Sequence, residues 1–163
     1  MISKKIEKAI NDQIAIEEQS SRIYLIMASW CEVNGYTGSA AFLYKQSAEE
    51  RSHQLKLMRY LNDREGFAVV FKTEAPESKF MSVTDVFDKV LKHEKFVTGS
   101  ISKLYGICLE EKDYASCGFI QWYINEQVEE ESIARAILDK FKLAGTNAGG
   151  IYMIDRELGA MAS

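Results

Sequence analysis

Apolar residues recur along this chain at steps of three and four, the spacing that gathers side chains onto one face of an α-helix. Four long segments carry the pattern. The first, about residues 5–34, reads Ile6, Ile10, Gln13, Glu17, Ser21, Tyr24, Ala28, Cys31. Asn34-Gly35-Tyr36-Thr37-Gly38-Ser39 is a turn, with Ser39 expected to cap the next helix. That second segment runs to about Arg64 on the stripe Leu43, Gln46, Glu50, His53, Leu57, Tyr60, and Gly66 lies just past its end. The third, about Val83 to Glu111, is the cleanest: Val83, Phe87, Val90, Glu94, Val97, Ile101, Leu104, Cys108. Asp113 is expected to cap the fourth, whose stripe is Phe119, Tyr123, Gln127, Glu130, Ala134, Ile137, Phe141. Four such stripes, each in need of a buried partner, predict an all-α four-helix bundle over about residues 5–143.

The connections predict its topology. Short links join the first helix to the second and the third to the fourth, so each pair forms an antiparallel hairpin. Residues 66–82, which include the single proline, Pro76, separate the second helix from the third. A helix of about 26 residues is roughly 39 Å long, and about 17 extended residues reach roughly 56 Å. A long crossover that makes the second and third helices parallel is therefore expected; a loop held at one end is the alternative. Val69-Val70-Phe71 has strand character, suited to pairing with its own copy across a twofold axis. After Leu143 the run Ala144-Gly145-Thr146-Asn147-Ala148-Gly149-Gly150 breaks the fourth helix. A fifth, about 148–160, follows with Ile151, Ile154, Leu158 and Met161 on one face. So short a helix must dock, either on its own bundle or on identical helices of other subunits, and its coil-like spacing favours the latter. The whole chain reads as one domain.

Composition narrows the function. The formal net charge of −4 and pI near 5.3 lack the basic stripe that nucleic acid requires. No stretch approaches a membrane span, and the charged start Met1-Ile2-Ser3-Lys4-Lys5-Ile6-Glu7 has no apolar core of a signal peptide. Three cysteines without CxxC spacing, with Cys31 and Cys108 on apolar stripes, suit reduced thiols in a cytoplasmic protein.

The candidate chemistry lies on the buried stripes. Glu17, Glu50 with His53, Glu94 and Glu130 each take a slot that neighbouring turns give to apolar residues. All four fall near mid-helix, within about 6 Å of a common level. Glu50 and His53, at i and i+3, share a face and can close on one ion. Glutamates are seldom buried unpaired, and the stripes offer no lysine or arginine at this level. Four carboxylates in an apolar core must be protonated or neutralised. Two divalent cations neutralise them, with His53 binding as neutral imidazole. Oxygen-rich ligation with one imidazole suits iron(II) or manganese better than copper or zinc.

These residues also resemble a known family along nearly the whole chain. Glu17 with Tyr24, Ala48-Glu49-Glu50-Arg51-Ser52-His53, Glu94, Phe119-Ile120-Gln121-Trp122-Tyr123, Asn125-Glu126-Gln127-Val128-Glu129-Glu130-Glu131 and the tail Gly150-Ile151-Tyr152-Met153-Ile154-Asp155 are similar to those of bacterial non-haem ferritins. The resemblance implies a di-iron ferroxidase centre. Glu17, Glu50 and His53 would hold one iron, and Glu50, as a bridge, with Glu94 and Glu130 the second. Gln127 would hydrogen-bond an oxygen ligand or water, Tyr24 would donate electrons with Trp122 assisting, and Glu49, Glu126 and Glu129 match a third iron position. Gln127-Val128-Glu129-Glu130 lacks the second Glu-x-x-His of bacterioferritins, and Arg51 stands where their haem-ligating methionine would be, which argues against haem. His93, beside Glu94 but turned about 100° from it, reads as a packing or interface residue.

The implied function is iron storage: oxidation of iron(II) by dioxygen or hydrogen peroxide, with iron(III) deposited as a mineral inside a homo-oligomeric cage, of 24 subunits in that family. The fifth helix would line fourfold axes, and Glu110, Glu111 and Asp113, at the turn between the third and fourth helices, are candidates for an entry channel, with a solvated turn as the alternative. A non-storage di-iron oxidase or peroxidase of the rubrerythrin-like type is the alternative, though no cysteine-rich iron domain is present. A metal-free helical interaction protein is a third class.

Overall fold

The computed structural model describes residues 1–163 as five helices with no strand: α1 (Lys4–Val33), α2 (Thr37–Asp63), α3 (Val83–Glu110), α4 (Tyr114–Ala144) and α5 (Ala148–Ala162). Local chemistry sets most of the starts. Ser3 accepts a hydrogen bond from Ile6 N, Ser82 from Asp85 N, Asp113 from Ser116 N and Asn147 from Gly150 N, each satisfying an amide with no helical partner. The expected Asp113 cap is present.

The expected Ser39 cap is not. α2 starts three residues earlier, its N-cap Tyr36 makes no side-chain bond, and Ser39 lies inside the helix. The capping group comes from 116 residues away: Asp155 of α5 accepts from Gly38 N (2.9 Å), Ser39 N (2.7 Å) and Ser39 Oγ (2.7 Å). A buried carboxylate thus sits on the positive end of α2. The same contact corrects the expectation for α5. Ile154 and Leu158 are buried against the chain's own bundle, Ile151 packs at its edge, and Met161 is exposed. α5 docks on its own subunit because Gly38 and Gly159 let two helices meet at backbone distance. A Cβ on Gly38 would stand 1.8 Å from the carbonyl oxygen of Asp155.

The long connection is a crossover without a strand. Phe67 N reaches Glu7 Oε1 (3.2 Å) and Val69 N reaches Asn11 Oδ1 (2.8 Å), near the start of α1. Phe80 ends against Trp30, near the end of α1 (ring centroids 5.7 Å). The segment has therefore travelled the length of α1, and α3 runs parallel to α2. Val69-Val70-Phe71 has no ladder partner within the chain; its backbone is tied to side chains instead.

The apolar core is divided in two. One cluster gathers Tyr24, Leu43, Phe87, Leu138 and Phe141 towards the α5 end. The other gathers Ile6, Ile10, Leu57, Ile101 and Ile120 towards the opposite end. Between them lies a polar storey. Cys31, Cys108 and Cys117 are buried and unpaired by disulfide, with burial raising the Cys31 thiol to about 12.

Candidate metal centre

The polar storey contains the residues that the stripes marked. Ligand atoms of Glu17, Glu50 and His53 all lie within 4.8 Å of one another. His53 Nδ1 is 3.4 Å from Glu50 Oε2 and 4.0 Å from Glu17 Oε2. Two long helices, α1 and α2, and the i, i+3 step within α2 produce this geometry, so it follows from helical register rather than from any loop. Tyr123 fixes the turn from below by donating to the carbonyl of His53 (2.8 Å), with its ring 6.0 Å from the imidazole.

Glu94 and Glu130 join the storey but not that three-residue cluster. Glu94 is buried and accepts from the Tyr24 hydroxyl and from Gln127 Nε2 (3.0 Å). Glu130 is half-buried and accepts from Gln46 Nε2 (3.0 Å). Gln127 also reaches the Glu94 carbonyl (3.2 Å) and Thr98 Oγ1 (3.3 Å), so its amide is committed to α3.

The electrostatics are one-sided. No lysine or arginine pairs with any of the four glutamates; His53 is their only basic neighbour among the ion pairs. Burial, reinforced by the charges of Glu94 and Glu130, pushes Glu50 up to about 8. Burial, then the fields of Glu94 and Glu49, raises Glu130 to about 7. Glu17 is driven well above the carboxylate range by burial and by Glu50, and burial also raises Glu94. Glu50 Oε2 is fully buried and has no hydrogen-bond partner. A desolvated carboxylate oxygen left open is costly, and here it points at an imidazole nitrogen and another carboxylate. A cation satisfies all three at once, so the donor set fits a divalent metal ion.

Beside the centre opens a cleft of about 360 Å³, lined by Glu49, Glu126, Glu129, Glu130 and His53 among others. The three glutamates matched to a third metal position thus share one acidic hollow. Trp122, also on its wall, sets its ring edge-on to His53 at 5.4 Å. His93 lies outside the centre. Its Nε2 is 2.7 Å from Ser20 Oγ, its ring stands edge-on to Tyr24 at 5.8 Å, and burial lowers it to about 4. It is a neutral packing residue. Glu110 and Glu111 pair with Lys5 (2.9 and 3.5 Å), and Asp113 with Arg64 (3.0 Å).

Two supporting residues escaped the pattern reading. Gln13 donates to Glu17 Oε1 (2.8 Å), as Gln46 does to Glu130. Each stood on a stripe four residues before a glutamate, and that i, i+4 spacing was the available signal for Gln13–Glu17. Asp155 gave no such signal, because its partners lie at the other end of the sequence.

Comparison with known proteins agrees with the fold. Residues 7–144 match the ferritin-like domain model. A probable bacterial non-heme ferritin-like protein of Haemophilus influenzae is 40% identical over 163 residues, covering 100% of this chain and 99% of its own. A bacterial non-heme ferritin of Campylobacter jejuni is 42% identical over 156 residues, 96% of this chain and 93% of its own. The open-pore ferritin of the archaeon Archaeoglobus fulgidus superposes with a TM-score of 0.96 at 36% identity, covering 98% of both chains. Matched in length and fold, the chain belongs to the ferritin family.

Proposed function

We propose that this protein stores iron, and that it oxidises iron(II) at the intrasubunit centre before depositing iron(III) as a ferric oxyhydroxide mineral. The observation that carries the reading is Glu50 Oε2, an orphaned buried oxygen amid acidic side chains that no lysine or arginine neutralises. Family membership supports the same chemistry.

Glu17, Glu50 and His53 would bind one iron(II) substrate. Glu50, turning its second oxygen, would bridge to another held by Glu94 and Glu130. Each iron(II) yields one electron, and dioxygen (or hydrogen peroxide) accepts the pair. Anionic oxygen donors favour the higher oxidation state, and holding two irons side by side supplies two electrons to one oxidant without a free one-electron product. Gln13 and Gln46 orient Glu17 and Glu130, and Gln127 and Tyr24 hold Glu94. Tyr24 stands as a fully buried electron donor one hydrogen bond from the centre. Glu49, Glu126 and Glu129 form a third position through which iron passes to or from the pair. The mineral would collect in a closed cage of identical subunits, 24 as in the family it resembles, working in the cytoplasm.

The test is Glu50→Leu with His53→Phe, assayed by rapid mixing of iron(II) with dioxygen. Removing single supporting groups from a metal site typically costs 10–100-fold, so losing two ligands should slow oxidation by at least about a hundredfold. Assembly should persist. An unchanged rate removes the centre from the reaction. A wild-type particle of one or two subunits that oxidises iron but retains none would favour the non-storage oxidase.

A further inference from the structure

The bundle has two openings of opposite chemistry beside its centre. The acidic hollow at Glu130 lies between α2 and α4, with Met161 of α5 also on its wall. A second cleft, of about 270 Å³, lies between α1 and α3, on the other side of the bundle. Its walls are Ala9 and Ile16 of α1 with Phe96, Leu104 and Ile107 of α3. Its floor is Gln13, of which only 2% is exposed. Gln13 Nε2 donates to Glu17 Oε1 (2.8 Å), and the other oxygen of Glu17 faces His53 Nδ1 at 4.0 Å. One side chain and one hydrogen bond therefore stand between this cleft and a ligand of the centre.

Charge sorts what each opening admits. The hollow presents Glu49, Glu126, Glu129 and Glu130, whose combined field draws in a divalent cation. The cleft has no such field. Asp12 is the one carboxylate on its wall, and Lys8 neutralises it at 2.6 Å. Lys103, exposed on the same wall, adds a positive charge that opposes iron(II). A small uncharged molecule is indifferent to both fields and leaves water favourably for the apolar walls. Dioxygen is such a molecule. Hydrogen peroxide, which hydrogen-bonds to water, is better served by the polar hollow.

We propose that dioxygen enters through the cleft between α1 and α3, and that Gln13 closes its inner end. The inference rests on the proposed iron(II) oxidation and adds the route of its oxidant. With a single acidic opening, dioxygen would have to pass cations held at the mouth. Entry from the α1–α3 side brings it to a centre already loaded from the α2–α4 side. Gln13 suits the junction because it is unbranched. Rotation about its side-chain bonds carries the amide away from Glu17 and opens the floor without moving either helix. In its closed position the same amide keeps Glu17 oriented.

The test narrows the cleft from each wall in turn, with Ala9→Phe on α1 and Ser100→Phe on α3. Assembled protein is loaded anaerobically with iron(II) and then mixed with dioxygen at several concentrations, so that iron entry is complete before the oxidant arrives. Each variant should lower kcat/KM for dioxygen about tenfold, while the rate at saturating dioxygen stays within about twofold of wild type. Anaerobic calorimetry should show iron(II) binding unchanged, and hydrogen peroxide should oxidise the loaded variants as fast as the wild type. An unaltered dioxygen dependence in both variants overturns the inference. An equal loss with dioxygen and with peroxide signals a disturbed centre and overturns it too. Xenon, an apolar sphere that settles in apolar cavities, gives a readout free of iron. Iron-free crystals under xenon pressure should hold it in the wild-type cleft and not in the variants, and a wild-type cleft without xenon overturns the inference. Wild-type protein that binds xenon there yet does not oxidise iron(II) overturns the proposed function, and the oxidant route with it.

Discussion

Glu50 shows how much one side chain can reveal about an ion. Its carboxylate is raised from the usual 4.5 to about 8 by burial and by other carboxylates, with one oxygen left open. Between those values the folded, metal-free chain keeps a proton that the unfolded chain has released. Stability of the metal-free protein should therefore fall as pH rises from about 4.5 towards 8, because the unfolded state binds fewer protons throughout that window. Thermal melts across the range check the sign, and saturating zinc(II) should flatten the slope. At pH 6, loading with metal should release more than one proton per subunit, since Glu50 and Glu130 (about 7) are both protonated there. Calorimetry in buffers of different ionisation heat reads that number, and zero release would mean the carboxylates are already charged. Glu50→Leu with His53→Phe should make the metal-free protein more stable, by about 1–4 kcal/mol, because it replaces buried polar groups with apolar ones. A melt that drops instead would show the centre to be a stabilising network. The glutamates were legible in the sequence because each broke an apolar stripe at a matched level. Their hydrogen-bond partners were less so. Gln13 and Gln46 were visible as stripe members, yet nothing in a lone glutamine says which oxygen it will face.

Among the elements, the four long helices followed from periodicity because each buries a continuous face, and the Asp113 cap followed because its partner, Ser116, is three residues away. The start of α2 did not, since its cap is supplied by α5. Local signals encode local bonds, and a cap delivered across 116 residues leaves a Tyr-Thr-Gly-Ser run whose serine suggests a local cap that does not form. The coil-like spacing of α5 favoured a neighbouring subunit, because spacing alone carries no mark of the partner; the glycine contact is what seats the helix on its own bundle. Two substitutions test this junction. Gly38→Ala places a methyl 1.8 Å from a backbone oxygen that cannot rotate away, so α5 should shift or detach, at a cost of about 3 kcal/mol or more. Hydrogen exchange should show the loss of protection confined to α5 and the first turn of α2. Asp155→Asn keeps the shape but sets an amide donor against a backbone N–H, and should cost about 1–3 kcal/mol in a denaturant titration. An unaltered midpoint for either variant would show the junction to be incidental.

At the scale of the whole molecule, the split core lets the two apolar clusters fold around a storey that does not contribute hydrophobic stability. This explains how a site carrying like charges survives in a bundle of this size. It also predicts that ligand substitutions leave assembly intact, which size-exclusion chromatography of the Glu50 and His53 variants checks. Tyr152 and Met153 project from α5 into solvent. Changing both to glutamate should block higher assembly while circular dichroism of the separated subunits stays helical; retention of the full particle would exclude this helix from subunit contacts. The backbone seat beneath α5 bears on how such contacts arise. A short helix hung only from the Gly145 link would lose much conformational freedom on meeting its neighbours. Here Gly38, Gly159 and Asp155 settle its orientation within the monomer, so that loss is largely incurred during folding and the tail arrives at any encounter already aimed.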